Sequence, residues 1–238
     1  MELIGSGGFG KVFKIDTFKV RKYVSKYINT NEIHALEKCY NDSNVIKMCG
    51  YKYIADGYYI DMEYINNCMD LFDYINKYSP ISEKDCKKIF VQIVSCIKRL
   101  YDIHNIIHGD IKDENILINP STLFIKIIDF GSSVLLEKDE KTREIRYIDN
   151  TEIYRPPEYF MHYRMDLLKM TVWSLGLLLY DIMEGDIPFR TTSDITKYNH
   201  RFFYIKSQNL IDLIKNMLES NEEKRYTLDQ VASDKWFH

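Results

Sequence analysis

Two short polar segments in the middle of the chain contain side chains that could move a phosphoryl group. The segments are residues 108–115 (HGDIKDEN) and 129–131 (DFG). Phosphoryl transfer needs a carboxylate that can accept the proton of an attacking hydroxyl, and Asp110 could supply it. It also needs oxygen ligands for Mg²⁺, which Asn115 and Asp129 could provide. Lys112 could add positive charge near the migrating phosphate.

A glycine-rich loop near the N-terminus, residues 5–12 (GSGGFGKV), could cover phosphate groups. Glycine allows backbone amides to approach phosphate oxygens closely, because no Cβ stands in the way. The same spacing also fits a dinucleotide-binding fingerprint, in which Glu32 would be the acidic residue. That fingerprint must open a helix, whereas this loop runs into residues typical of a strand. The pattern therefore favours a hairpin over a nucleotide, with a plain surface turn as the alternative.

The order and spacing of these motifs resemble those of protein kinases. Residues 108–115 resemble the catalytic loop and residues 129–131 the metal-binding loop. Residues 154–158 (YRPPE) resemble the sequence that ends a kinase activation segment, and Glu158 is expected to pair with Arg225. The resemblance covers nearly the whole chain and implies ATP and Mg²⁺ as cofactors, with Mn²⁺ able to substitute.

Lys22 best fits the lysine that holds the α- and β-phosphates of ATP, with Val20 facing the adenine. Lys19 is the alternative and is expected to point to the same face of the strand. The acidic partner should be Glu32 on the following helix, with Glu37 as the other candidate.

The remaining residues of the predicted ATP site come from the glycine-rich loop and from the segment that would join two lobes. The full predicted set is Ile4, Gly5, Ser6, Gly7, Gly8, Phe9, Gly10, Val12, Val20, Lys22, Glu63, Ile65 and Leu117. Lys22, Glu32, Asp110 and Lys112 are the predicted catalytic residues, and Asn115 and Asp129 the predicted metal ligands.

Local patterns predict the elements that position these residues. Strands are expected at 12–15, 18–24 and 58–64, since β-branched and aromatic residues are frequent there. A helix is expected at 31–38, with Asn29, Thr30 or Asn31 as its cap. Ser82 should begin a longer helix, short strands should lie at 116–118 and 124–128, and residues 173–183 should form a buried helix.

This order predicts a two-lobed α+β fold of the protein kinase type, with a β-rich N-lobe carrying one main helix and a mostly helical C-lobe. We expect one domain over residues 1–238. It is divided into an N-lobe (1–62), a hinge (63–69) and a C-lobe (70–238) that contains the activation segment (129–158).

Longer strings of sequence are similar to the PIM serine/threonine kinases of the calmodulin-kinase group. They are 70–75 (DLFDYI), 110–118 (DIKDENILI), 172–176 (VWSLG), 178–181 (LLYD) and 185–189 (GDIPF). The resemblance implies protein substrates with arginine-rich serine or threonine sites, because carboxylates pair well with guanidinium groups. The implied substrate-binding acids are Asp70, Asp73, Glu114, Asp181 and Asp186.

Two positions distinguish this chain from its expected relatives. Gly109 replaces the catalytic-loop arginine that usually binds a phosphorylated activation segment, which predicts activity without such phosphorylation. Ile65 stands where PIM kinases carry a proline, so its N–H can give adenine a second hinge hydrogen bond, worth ~1 kcal/mol. Thr171 stands where most kinases have an aspartate that PIM kinases lack too, so this position adds to the resemblance.

Composition narrows the possible partners and the cellular location of the protein. The 238 residues carry a formal net charge of −3, so nothing global indicates a nucleic acid or a membrane as partner. The five cysteines include no C-x-x-C pair, which predicts reduced thiols in an intracellular protein of the cytoplasm or nucleus. We also expect a monomer. Richness in Ile, Asn, Lys and Tyr suggests a viral or parasite source.

The rival functions are a catalytically inactive pseudokinase scaffold and a kinase for small molecules.

Overall fold

The computed structural model describes residues 1–7, 10–26, 31–138, 140–189, 191–197 and 201–238. Its strands are β1 (Glu2–Gly7), β2 (Gly10–Lys14), β3 (Lys19–Ser25), β4 (Met48–Ile54), β5 (Gly57–Glu63), β6 (Met69–Asp70), β7 (Ile106–Ile107), β8 (Ile116–Ile118), β9 (Ile125–Ile127), β10 (Val134–Leu135), β11 (Glu144–Ile145) and β12 (Met165–Asp166). Its α-helices are α1 (Glu32–Lys38), α2 (Leu71–Tyr78), α3 (Glu83–Asp102), α4 (Pro157–His162), α5 (Leu167–Glu184), α6 (Thr192–Lys197), α7 (Gln208–Met217) and α8 (Leu228–Ala232).

The N-terminal strands form one antiparallel sheet in the order β1-β2-β3-β5-β4. Burial alternates along β3, where Val20, Lys22 and Val24 point into the core and their neighbours do not. This alternation is what a sheet with one covered face requires. The predicted strands at 12–15, 18–24 and 58–64 are confirmed to within two residues.

Helix α1 begins after Asn31, one of the three predicted caps, but the Asn31 side chain makes no capping hydrogen bond. It donates instead to the Ser133 carbonyl at 3.2 Å, in the segment that follows the DFG motif. The other two candidates, Asn29 and Thr30, lie outside the described residues. The start of α1 is therefore tied to the rest of the protein by a tertiary contact.

The C-terminal part is mostly helical, which confirms the predicted α+β class. Helix α3 begins as predicted after Ser82, whose hydroxyl accepts the Asp85 N–H at 3.1 Å. Helix α5 is buried over nearly its whole length, so the predicted buried helix is confirmed. Trp173 on α5 stacks on Phe189 with ring centroids 5.7 Å apart. No helix in the described part of the chain has the length and apolar character that crossing a membrane requires.

A buried ion pair joins α4 to the segment before α8. The Arg225 guanidinium donates two hydrogen bonds of 2.7 Å to the Glu158 carboxylate, and both side chains are almost completely buried. The predicted pairing of these residues is confirmed. Because both charges are desolvated, either one alone would be strongly unfavourable.

The sheet and the helical part are linked by backbone hydrogen bonds at Ile127. Its N–H donates to the Asn44 carbonyl at 2.7 Å, and its carbonyl accepts the Ile46 N–H at 3.0 Å. Ile127 also belongs to a three-stranded sheet in the order β6-β8-β9. Since Asp129 follows two residues later, this link helps to place the metal-loop aspartate against the N-terminal sheet.

Replacing Glu158 by glutamine should lower the free energy of unfolding by about 3 kcal/mol, because the buried Arg225 charge would lose its partner. Urea denaturation of the wild type and the variant measures the change. The matched control is Asp56→Asn, which breaks an exposed pair with Lys26 and should cost below about 1 kcal/mol. Equal losses in the two variants would contradict the expectation.

Candidate active site

A cavity of about 650 Å³ lies between the N-terminal sheet and the loops that carry the HGD and DFG motifs. Ten predicted ATP-site residues line it: Ile4, Gly5, Ser6, Gly10, Val12, Val20, Lys22, Glu63, Ile65 and Leu117. Gly7 ends β1 and is not among the lining residues, while Gly8 and Phe9 lie outside the described residues. Sequence reasoning assigned no nucleotide contact to Ile46, Met62, Tyr64, Cys68 and Ile128, which also line the cavity. Ile128 could have been found, since it directly precedes Asp129.

Gly10 is needed for the sheet itself. Its φ is +136°, and a Cβ added there would lie 2.0 Å from the Tyr23 carbonyl oxygen on β3. The glycines of this loop were expected to serve the close approach of phosphate. At Gly10 the close approach is between two strands, and any side chain would force them apart.

The Lys22 ammonium lies at the centre of three elements. It donates to Glu32 on α1 at 2.7 and 2.8 Å and to Asp129 at 2.8 Å, and only 4% of Lys22 is exposed. Burial alone would lower the pKa of Lys22, but the Glu32 and Asp129 carboxylates outweigh it and raise the pKa. The lysine therefore stays charged, and the predicted ion pair with Glu32 is confirmed.

The two alternatives to this pair lie elsewhere. Lys19 was expected on the same face of β3 as Lys22, and that expectation is wrong. The lysines are three positions apart, so a strand with a repeat of two places them on opposite faces, and Lys19 is exposed. Glu37 is exposed on α1, whereas Glu32 is buried.

The Asp110 carboxylate is oriented by donors from three directions. One oxygen accepts the Thr151 N–H at 3.2 Å, and the other accepts the Asn115 amide at 3.0 Å and lies 3.4 Å from the Lys112 ammonium. Lys112 also donates to the Thr151 hydroxyl at 2.8 Å. The catalytic-loop residues predicted from sequence are thus brought together, and Thr151 joins them from the activation segment.

His108 anchors the catalytic loop to the metal loop. Its Nε2 donates to the Ile128 carbonyl at 3.0 Å, and its Nδ1 accepts the Asp110 N–H at 3.4 Å. Its ring also meets the edge of Phe130, with centroids 4.8 Å apart. Burial lowers the pKa of His108, so the ring is neutral near pH 7 and both contacts are made by the same tautomer.

Asn115 and Asp129 present a donor set that fits Mg²⁺. The Asn115 NH₂ donates to Asp110, and no donor within the described ranges reaches its amide oxygen. Asp129 uses one oxygen for Lys22 and the Gly131 N–H, which leaves the second oxygen without a protein donor in the same ranges. Burial alone would raise the pKa of Asp129, but the Lys22 charge lowers it. Mg²⁺ prefers such ionised and amide oxygens and takes its other ligands from water and phosphate.

Gly109 allows two loops to meet. Its φ is +85°, and a Cβ added there would lie 2.2 Å from the Ser132 carbonyl oxygen, just after the DFG motif. A side chain at residue 109 would therefore displace the backbone beside the metal loop. The glycine that replaces the usual arginine is a requirement of this packing.

A second cavity, of about 390 Å³, contains several of the acids predicted to bind substrate. Glu114, Asp181 and Asp186 line it together with Asp113, which the sequence analysis did not single out. Asp70 lines the larger cavity and caps α2 by accepting the Asp73 N–H at 2.7 Å. Asp73 is exposed on α2 and lines neither of the two cavities. Three of the five predicted acids therefore share one cavity.

Asp113 and Asp181 form a buried carboxylate pair within that second cavity. Burial, followed by the charge of Asp113, raises the pKa of Asp181 to about 7. Burial also raises the pKa of Asp113, which accepts the Tyr154 hydroxyl at 3.4 Å. Because the folded state binds the shared proton more tightly than the unfolded chain does, the pair loses its stabilising effect as the pH rises through about 7.

The comparisons with known proteins agree with this geometry. A family model described as the protein kinase domain matches residues 1–237. The chain belongs to the protein kinase family.

Its relatives include several serine/threonine kinases. Serine/threonine-protein kinase pim-2 of Danio rerio is 32% identical over 260 residues, which cover 98% of this chain and 82% of that protein. Serine/threonine-protein kinase prk-2 of Caenorhabditis elegans is 32% identical, and the match covers 98% of this chain but only 56% of the nematode protein. Serine/threonine-protein kinase 1 of African swine fever virus is 33% identical over 91% of this chain and 71% of the viral protein. These relatives confirm the predicted PIM-like resemblance and a serine/threonine protein kinase, and kinases of this family generally use ATP with Mg²⁺.

Replacing Asp181 by asparagine should stabilise the kinase more at pH 8 than near pH 5.5. At pH 8 the wild type must keep a second carboxylate charged inside the protein, whereas at pH 5.5 Asp181 is already neutral. Melting temperatures at both pH values measure the effect, at about 2–4 °C for each kcal/mol. Asp73→Asn, at an exposed site, is the control with no pH-dependent difference. A variant that is no more stable than wild type at pH 8 would contradict the expectation.

The Ile65 N–H makes no hydrogen bond within the part of the chain that the structure describes, and Ile65 lines the larger cavity. Ile65→Pro should weaken ATP binding about fivefold, since one hydrogen bond of ~1 kcal/mol is removed. Titration calorimetry measures the dissociation constant, and Ile65→Val, which keeps the N–H, should bind as the wild type does. Equal affinity of the proline and valine variants would remove the hinge bond from the prediction.

Proposed function

We propose that this kinase transfers the γ-phosphate of ATP to serine or threonine hydroxyls in arginine-rich protein sites, without needing phosphate on its own activation segment. The observation that carries the proposal is the orientation of Asp110. Its carboxylate is fixed by Thr151, Asn115 and Lys112 beside a cavity that also contains the charged Lys22. A pseudokinase would have no need for this arrangement.

The roles follow from the contacts. The Lys22 ammonium, held by Glu32, binds the α- and β-phosphates, and Lys112 adds positive charge near the γ-phosphate. Asn115 and Asp129 would hold Mg²⁺, which neutralises charge on the phosphates when bound. The substrate hydroxyl oxygen forms a bond to the γ-phosphorus, the bond to the bridging oxygen breaks, ADP leaves, and Asp110 accepts the hydroxyl proton.

The preference for arginine is supported by the second cavity. It adjoins Lys112 and Thr151, and it is lined by four carboxylates: Asp113, Glu114, Asp181 and Asp186. A guanidinium group can hydrogen-bond two carboxylates at once and would replace the proton that Asp181 otherwise holds. Arginine upstream of the phosphorylated residue is therefore the substrate feature that this surface favours.

Activity without phosphorylation is supported by the contacts of the activation segment. Gly109 offers no side chain that could bind a phosphate there. Two threonines of the segment already have partners, since Thr151 accepts from Lys112 at 2.8 Å and Thr142 donates to Asp166 at 2.7 Å. A phosphate on either hydroxyl would displace a contact that the structure already makes.

Magnesium- and ATP-dependent phosphate transfer to an arginine-rich serine peptide tests the proposal, with Asp129→Asn run in parallel. We expect transfer by the wild type and a loss of several orders of magnitude in the variant, because positioning and charge stabilisation supply most of the rate. Asp56→Asn, at an exposed turn, is the control that should keep full activity.

Two further results test the arginine preference and the rival scaffold function. A matched peptide with glutamine in place of each arginine should be phosphorylated at least about tenfold more slowly, and equal rates would remove the arginine preference. ATP binding without transfer to any peptide by the wild type would instead support a nucleotide-binding scaffold.

A further inference from the structure

Arg155, in the YRPPE sequence, is buried against the activation segment with 9% of its surface exposed. Its Nε donates to the Asn150 side-chain oxygen at 2.8 Å. Its Nη2 donates to the backbone carbonyls of Ile148 and Asn150, each at 3.2 Å. Nη1 donates to the Tyr159 hydroxyl at 3.1 Å, and the guanidinium lies 4.7 Å from the centre of the Tyr159 ring.

These contacts are unusual for a buried charge. No carboxylate within the described residues lies in ion-pair distance of Arg155, so its guanidinium is neutralised by none of them. A desolvated charge of this kind is costly unless its donors are satisfied. Here four of the five N–H groups of an arginine have acceptors, and three of these acceptors belong to Ile148 and Asn150. The guanidinium is thus bound to the chain just before Thr151.

Asn150 carries this restraint to the catalytic loop. While its oxygen accepts from Arg155, its NH₂ donates to the Gly109 carbonyl at 3.2 Å and to the Met170 sulfur at 3.6 Å. The next residue, Thr151, donates its N–H to Asp110 at 3.2 Å. A path of hydrogen bonds, joined by the peptide bond between Asn150 and Thr151, therefore runs from Arg155 to the carboxylate that would accept the substrate proton.

We infer that Arg155 is a positioning residue that holds the activation segment in place for catalysis. It takes the role that a phosphate on this segment has in kinases whose catalytic loop carries an arginine at the position of Gly109. The inference rests on the proposed function, because the carboxylate it positions is the proposed proton acceptor. Arg155 itself lines neither described cavity and touches no substrate site. Its effect reaches Asp110 through the backbone of residues 148–151.

The first experiment compares steady-state kinetics of the wild type and Arg155→Met, both treated with phosphatase. We expect the kcat of the variant to fall about 10- to 100-fold, since a displacement of about 1 Å at a reacting group has such an effect. The KM for ATP should stay within about twofold of the wild-type value, because Arg155 does not reach the nucleotide cavity. Arg155→Lys keeps the charge but not the planar fork and should restore part of the rate.

A matched control and a double mutant separate positioning from general damage. Arg143→Met removes an arginine from the same segment whose partners are Glu140 and the Leu135 carbonyl, and it should leave kcat within about twofold. Asn150→Ala should lower kcat as Arg155→Met does. The double mutant should be no slower than the slower single variant, because both changes break the same set of bonds.

Hydrogen exchange measures the restraint without any need for activity. The amides of residues 148–151 should exchange at least about tenfold faster in Arg155→Met than in the wild type, while Arg143→Met leaves them unchanged. A wild type that transfers no phosphate would defeat the proposed function, and the exchange rates would still decide the restraint. Unchanged exchange and unchanged kcat in Arg155→Met would overturn the inference, as would a phosphatase-treated wild type that regains activity only on phosphorylation.

Discussion

The charge on Lys22 constrains more of this protein than any other single feature. An ammonium group buried in a β-sheet core costs several kcal/mol unless carboxylates neutralise it. Glu32 and Asp129 do so, and they come from a helix and a loop far apart in sequence. The sheet, the short helix α1 and the metal loop can therefore reach their final arrangement only together. The nucleotide cavity lies where the three meet.

Helix α1 shows how one of these elements depends on the others. It has only seven residues, which is too short to be stable as an isolated helix in water. Its tertiary anchors include the Glu32 ion pair with Lys22 on β3 and the contact from Asn31 to Ser133. Lys22 also binds Asp129, and Ser133 follows the DFG motif, so the order of α1 and the order of that segment are linked.

The sequence predicted those parts of the site that lie in contiguous motifs. Asp110, Lys112, Asn115 and Asp129 could be assigned because their spacing within two strings is itself informative. Buried polar groups that no recognised motif pairs could not be assigned in this way, because their partners depend on how the chain packs. Asp113 looks like any loop acid until Asp181 packs beside it, and Arg155 looks like a surface arginine until residues 148–150 fold over it. The strands and helices that were predicted are present, since they depend on local composition, but β4 was not among them. The face of Lys19 was misjudged because side chains alternate between the faces of a strand, so an offset of one residue is decisive.

The double hydrogen bond at Ile127 has a mechanical consequence. One residue of β9 is paired with β8 on one side and with the backbone at Asn44 and Ile46 on the other. A rotation of the five-stranded sheet relative to the helices that keeps these bonds would have its axis near Ile127. Because Asp129 lies two residues beyond, it is close to the axis and would move little while the outer edge of the sheet swings. Such a rotation would widen the mouth of the cleft while Asp129 at its base stays in register with Asp110.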